Sequence, residues 1–303
     1  MSSPPSPPSD SPPPGPPSPE APARPRPALA RRLFWTLLAA AGVFLLVAHR
    51  RIVAGWHMGL ALRSYEQGQL AQALEHVDRA LTWTPNRQGY YLFRARLRAE
   101  NDDLQGAVAD YTRVIEHAPQ FARAYLGRML IYQRLGRYDL AVADAEQALA
   151  HWPRDDDPEP WNTLAYARAL ANQNLQQGLK EVERALQMIQ GHNSPDPMQL
   201  SAYLDTRAFL LYRLGRHEEA LADMQRALQL FRPWRESFRR AIQKRKNLPQ
   251  QARRTLLQEL DHHLAVMVHH RGLILQALGR TDEAKADLER AARLGYDPRK
   301  GVQ

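Results

Sequence analysis

Three prolines, Pro85, Pro119 and Pro153, stand 34 residues apart, and the residues between them repeat a pattern. Twelve residues before each proline is a small residue: Ala73, Ala107 and Ala141. Five residues before each is Ala80, Val114 or Ala148. A turn signal precedes each small residue: Gln67-Gly68-Gln69, Asn101-Asp102-Asp103 and Leu135-Gly136-Arg137. A repeat of this length, with a turn inside it and a proline closing it, is a helical hairpin that cannot bury its apolar face alone and must stack on its neighbours. The small residues mark where two helices cross too closely for a longer side chain. Each proline stops one helix and sets up the next.

The third unit carries the pattern most fully, in Tyr125, Tyr132, Gly136, Tyr138, Ala141, Ala148 and Pro153. The spacing resembles the tetratricopeptide repeat, whose period is about 34 residues. That resemblance implies an all-α fold, a right-handed α-solenoid, with about six hairpins at 54–87, 88–121, 122–155, 158–190, 200–233 and 264–298. The first unit has Ala61 and Ala73 in place but His57 where an aromatic is usual. The fourth has Leu164, Ala165, Gly178, Val182 and Ala185, with glycine where alanine is usual and an extra residue near Asn172-Gln173-Asn174. The fifth has Ala208, Gly215, Ala220 and Ala227; the sixth has Gly272, Gly279, Ala284 and Ala291.

Between the fifth and sixth units lies an insert, residues 234–262. Pro233 and Pro249 can each start a helix, and the pattern after Pro249 reads as one long helix to about Ala277. Trp234, Phe238 and Ile242 share one helical face, surrounded by Arg235, Arg239, Arg240, Lys244, Arg245 and Lys246. From Arg232 to Arg254 there are nine Lys/Arg and one acid, Glu236, so this stretch supplies most of the chain's +9 charge.

Ahead of the repeats, residues 1–30 form a Pro-rich tail; 13 of the 23 prolines fall before residue 28. Such a stretch has too few apolar side chains to offset the entropy of ordering, and disorder is expected. Leu33 to Ala48 then runs sixteen residues without a charge, between Arg31-Arg32 and His49-Arg50-Arg51. It is a little short for a bilayer, but arginine stems can snorkel at both ends, so a transmembrane helix over 31–50 is expected. Few apolar residues precede the Ala39-Ala40-Ala41 site, which favours an uncleaved anchor. Four arginines precede the run, Arg24, Arg26, Arg31 and Arg32, against Arg50, Arg51 and Arg63 after it; this puts the tail in the cytoplasm and the repeats outside.

The search for chemistry ends without a reaction signature. There is no cysteine, phosphate loop, HExxH or nucleophile elbow, so neither an enzyme nor a cofactor is expected. His262, His263, His269 and His270 cluster, but metal binding prefers i,i+4 pairs and only Asp261 stands beside them; no metal site is expected. Acids are read as surface partners of nearby arginines on the same helix.

The resemblance implies a partner protein or peptide bound along the face made by the first helix of each hairpin. By position in the unit that face presents Leu92, Arg96, Arg123, Leu126, Asn162, Tyr166, Asp205 and Phe209. The Lys/Asn/Arg clamp that some family members use on chaperone tails is absent, since Met58 and Leu62 occupy matching positions. The alternative reading gives the main role to residues 232–254, binding anionic lipid or nucleic acid; an extracytoplasmic domain makes nucleic acid the less fitting partner.

Overall fold

The structure is a computed structural model and describes residues 27–191, 195–245, 247–248 and 250–297, with side chains for all of these except 27–30 and 251. Among the described residues there are twelve α-helices and no strand. They are α1 (Pro27–Glu66), α2 (Leu70–Trp83), α3 (Gln88–Glu100), α4 (Leu104–His117), α5 (Ala122–Arg134), α6 (Tyr138–Ala150), α7 (Glu159–Ala171), α8 (Leu175–Gln190), α9 (Pro197–Arg213), α10 (His217–Lys244), α11 (Gln250–Ala277) and α12 (Thr281–Arg293).

The chain divides into two compact units after Arg50, within α1. In the first, the apolar run Leu33 to Ala48 is helical and its large side chains are exposed, Leu37 at 69% and Phe44 at 72%. This helix is the one candidate, among the described residues, that is long and apolar enough to cross a membrane. It starts at Pro27, so residues 27–30 are helical and the expected tail is shorter than 1–30; proline suits a first helical turn because its missing N–H has no partner there. Residues 1–26 lie outside the described residues.

The second unit is a row of hairpins in which each helix packs on the next: α3 on α4, α4 on α5, and so on to α11 on α12. The end of α1 takes part as the first helix, burying Ala54, His57, Ala61 and Ser64 at i, i+3, i+7 and i+10. The small residues sit where the helices meet. Ala73, Ala107, Ala141, Ala220 and Ala284 are at most 2% exposed. In the fourth hairpin a Cβ on Gly178 would come to 3.0 Å from Leu210 Cδ2, a contact tight enough that the leucine would have to give by a few tenths of an ångström. Turns between paired helices use a left-handed residue: Gly68, Asp102, Gly136, Gly215 and Gly279, with φ from 61° to 78°. Hairpin four uses Asn172 and Asn174 instead, which accommodates its extra residue.

One correction concerns the insert. Pro233 does not begin a new helix; it lies inside α10, which runs on to Lys244. Proline in a helix costs one hydrogen bond and a steric clash, about 3 kcal/mol. Continuing the helix offsets part of this by burying Ile242 and half-burying Trp234 beyond the proline.

The acids pair in two ways: Arg79 with Glu75 and Arg293 with Glu289 pair within one helix at i,i+4, as expected, and a second set was not foreseen. The pairing that recurs is between helices, at i and i+16. Arg94 holds Asp110, Arg128 holds Asp144, Arg207 holds Asp223 and Arg271 holds Asp287, each with two guanidinium nitrogens at 2.6–2.9 Å. Each arginine stands on the first helix of a hairpin and its aspartate on the second. Several also reach back to the preceding hairpin: Arg94 to Asp78 (2.6 Å), Arg128 to Thr112 (2.9 Å) and Arg168 to Glu146 (2.9 Å). Arg168 meets Glu181 in its own hairpin at 3.0 Å. The arginines form a ladder that joins each hairpin internally and to its neighbour. Bidentate geometry and low exposure make these pairs costly to break one partner at a time.

Two outcomes test this packing. Gly136→Ala forces a Cβ into φ of +69° and lowers unfolding stability by about 1 kcal/mol in urea titration. Asp144→Ala strands the Arg128 guanidinium and costs about 3 kcal/mol, while adding Arg128→Met recovers part of that loss in a double-mutant cycle.

Candidate functional site

The residues expected to face a partner divide into four groups. Arg96 and Arg123 are exposed. Leu92 and Leu126 are half-buried against the apolar core of the first hairpins and of the third. Asn162 is half-buried, and its Oδ1 is enclosed without a hydrogen-bond partner. Tyr166, Asp205 and Phe209, on α7 and α9, come together, and a residue from α11 completes the group.

That residue is His270. Its Nδ1 lies 2.8 Å from Asp205 Oδ1, and both side chains are under 10% exposed. A carboxylate accepts, so Nδ1 carries the proton. The imidazole stacks on Phe209 at 4.2 Å between ring centroids, 10° from parallel. Tyr166 stands 6.2 Å from Phe209 and 6.3 Å from His270. Next to it His269 stacks on Tyr296 at 3.9 Å. Together Tyr166, Phe209, His269, His270 and Tyr296 line a small cavity of about 60 Å³, closed by Leu170, Val266, Leu273 and Asp297.

Three neighbouring first helices build this cavity, because α9 packs against both α7 and α11. Asp205 and Phe209 are thus more enclosed than an open groove would leave them: α11 covers them, through the histidine pair.

The electrostatics follow from enclosure. Burial, and then His270 beside it, pushes the His269 pKa down to about 4. Burial pushes Tyr296 up to about 12, with Tyr138 and Asp205 adding to it. Tyr166 rises for the same first reason, with Asp205 next. His269, Tyr166 and Tyr296 therefore face the cavity as neutral groups across the physiological pH range. Among the described residues no group of three or more His, Asp or Glu is arranged to hold a metal.

The basic patch is split. Arg235 and Arg239 both turn to Asp261 of α11, Arg239 at 3.7 Å. Arg240, Lys244 and Arg245 are exposed, and Lys246 lies outside the described residues. Trp234 is half-buried between Phe231 and Phe238, stacked on the latter at 5.0 Å.

Two features escaped the reading of the residues. The arginine ladder had a visible signal, Arg and Asp recurring sixteen apart in four units. The Asp205–His270 pair had none, since 65 residues and an insert separate its members.

The architecture is that of stacked helical hairpins with paired crossing alanines. Models of the tetratricopeptide repeat match residues 122–150, 201–233 and 265–294, within the third, fifth and sixth hairpins. No curated protein matches the chain. Among solved structures, PilW, a widely conserved type IV pilus biogenesis factor, is similar over 82% of this chain and 96% of its own, at 15% identity and a TM-score of 0.54. A tetratricopeptide repeat protein from Parabacteroides merdae ATCC 43184 is similar over 81% of this chain and 94% of its own, at 15% identity and TM-score 0.54. MamA from Desulfovibrio magneticus RS-1, residue 41 to its end, is similar over 60% and 96%, at 18% identity and TM-score 0.51. At these identities the likeness is one of fold.

The histidine beside the cavity gives the folded chain a pH signature. His269 binds its proton more weakly folded than unfolded, so stability is complete above pH 6.5 and falls as pH drops toward about 4. His263 and His57, both lowered first by burial, act in the same direction. His269→Phe keeps a ring on Tyr296 and flattens this acid loss, measured as melting temperature against pH.

Proposed function

We propose that the chain is a membrane-tethered scaffold that binds a partner protein or peptide along the face made by the first helices of its hairpins. The observation that carries this reading is the convergence of Tyr166, Phe209 and His270 from three successive first helices on one cavity. Aromatic walls supply apolar contact at low entropy cost, and a ring oriented by Asp205 would supply one directed polar contact. Arg96 and Arg123, exposed on earlier first helices, extend the surface with charge. A partner would anchor one side chain in the cavity and lie across the remaining helices.

We read the chain as non-catalytic. Asp205 and His270 are two members of a nucleophile-activating set, yet no serine, threonine or lysine is among the residues that line the cavity. The tether is the apolar run of α1, whose exposed leucines and phenylalanines need a non-aqueous surrounding. We place the tail in the cytoplasm and the repeats on the other side, following the arginine bias around the run.

Affinity capture with the full-length chain in detergent, from its own cells, tests the reading. One protein is expected to be recovered, and to be lost with Tyr166→Ala and with the pair Arg96→Glu and Arg123→Glu. Retention of that protein by both variants, with loss only on charge reversal at residues 240–245, would rule out the groove.

A further inference from the structure

Beyond the repeat stack, α10 and α11 build an arm that no hairpin of the regular length requires. Arg235 meets Asp261, and nearer the tip Arg253 Nη2 donates to the Arg245 carbonyl at 2.9 Å. As residue numbers rise on α10 they fall on α11, so the two segments run antiparallel from about Arg232 to Asp261. Ile242 and Leu260, each 3% exposed, are buried in it, and Trp234 is half-buried at its base.

Charge on the arm is one-sided. Nine Lys/Arg stand between Arg232 and Asp261, against Glu236, Glu259 and Asp261. Asp261 is already engaged by Arg235 and Arg239. Arg232, Arg240, Lys244, Arg245 and Arg254 remain exposed. The base of the arm adds to the imbalance. At earlier junctions the ladder arginine finds Asp78, Thr112 or Glu146 on the preceding hairpin. At the last junction the side chain from the preceding helix is another arginine. Burial, then Arg271 and Arg290, lowers the Arg232 pKa, against the weaker pull of Asp287.

We propose that this arm is a docking surface for anionic phospholipid headgroups. Arg232, Arg240 and Lys244 are exposed along α10 over about 18 Å, at about 1.5 Å per residue, and Arg245 follows as its C-cap. An extended acidic peptide is gripped best by a groove, whereas a bilayer offers a plane of phosphates that a convex helix can meet at many points. The tether proposed above would bring the chain to a lipid surface. This inference does not depend on the groove; it takes from the proposed function only the tether.

The test keeps tether and arm apart. Full-length chain is held in nanodiscs of phosphatidylcholine and offered separate sucrose-loaded vesicles, either pure phosphatidylcholine or equal parts phosphatidylglycerol and phosphatidylcholine. Co-sedimentation is expected with the anionic vesicles alone and is expected to weaken strongly at about 0.5 M salt. Arg240→Glu, Lys244→Glu and Arg245→Glu together are expected to lower it by at least about tenfold. All three side chains are exposed, so the melting curve of the variant should match the parent and separates lost docking from lost fold. Equal binding to neutral vesicles, unchanged binding by the triple variant, or preferential capture of single-stranded DNA or polyglutamate over the anionic vesicles would overturn the proposal. Loss of groove-dependent capture leaves this result untouched, and the converse holds.

Discussion

Two helices can cross only as closely as the smallest side chains between them allow, and this limit organises the whole repeat region. Ala73, Ala107, Ala141, Ala220 and Ala284 are buried where the second helix of a hairpin meets the first. With the helices this near, an arginine on one reaches an aspartate on the other with two hydrogen bonds. It also reaches the hairpin behind. The alanines set the spacing, and the ladder of charged bonds holds its register. Neither arrangement would survive without the other: wider hairpins would leave the guanidiniums half-buried and unpaired, at a desolvation cost of several kcal/mol each.

The fourth to sixth hairpins show how the stack continues after an interruption. The ladder changes partner at Arg168, which meets Glu181 at thirteen residues' separation, and resumes at Arg207. Between the fifth and sixth hairpins α10 and α11 lengthen, and the excess leaves the stack as the basic arm. The sixth hairpin is nevertheless held, because α11 packs on α9 and His270 bonds Asp205. The histidine therefore has a structural duty at the junction as well as a place on the cavity wall. Exposure of so many arginines follows from the same geometry, since a two-helix arm has little interior in which to pair them.

Much of this was legible in the residues themselves. Pro85, Pro119 and Pro153 gave the period, the buried alanines the crossing points, and Gly136, Gly215 and Gly279 the left-handed turns. Asp102 takes the same left-handed conformation at +61° in a turn that its neighbours Asn101 and Asp103 had already marked. The site was less legible. Tyr166, Asp205 and Phe209 were identifiable as first-helix residues, but position within a repeat does not tell an open surface from one covered by the next hairpin.

The amino-acid order alone determined what depends on neighbours a few residues apart: helix, turn, apolar face, small crossing residue. Those follow from backbone sterics and from a periodicity fixed by the helix itself. Only the tertiary structure decided which distant groups share a space: Arg94 with Asp110, Arg235 with Asp261, and His270 with Asp205 across 65 residues. It also decided that α10 runs through Pro233, because the burial gained by Ile242 depends on a partner helix that local preferences do not contain. The physical reason is the same in each case. Local preferences are set by the chain's own bonds, while pairing and burial are set by whatever else arrives at the same place.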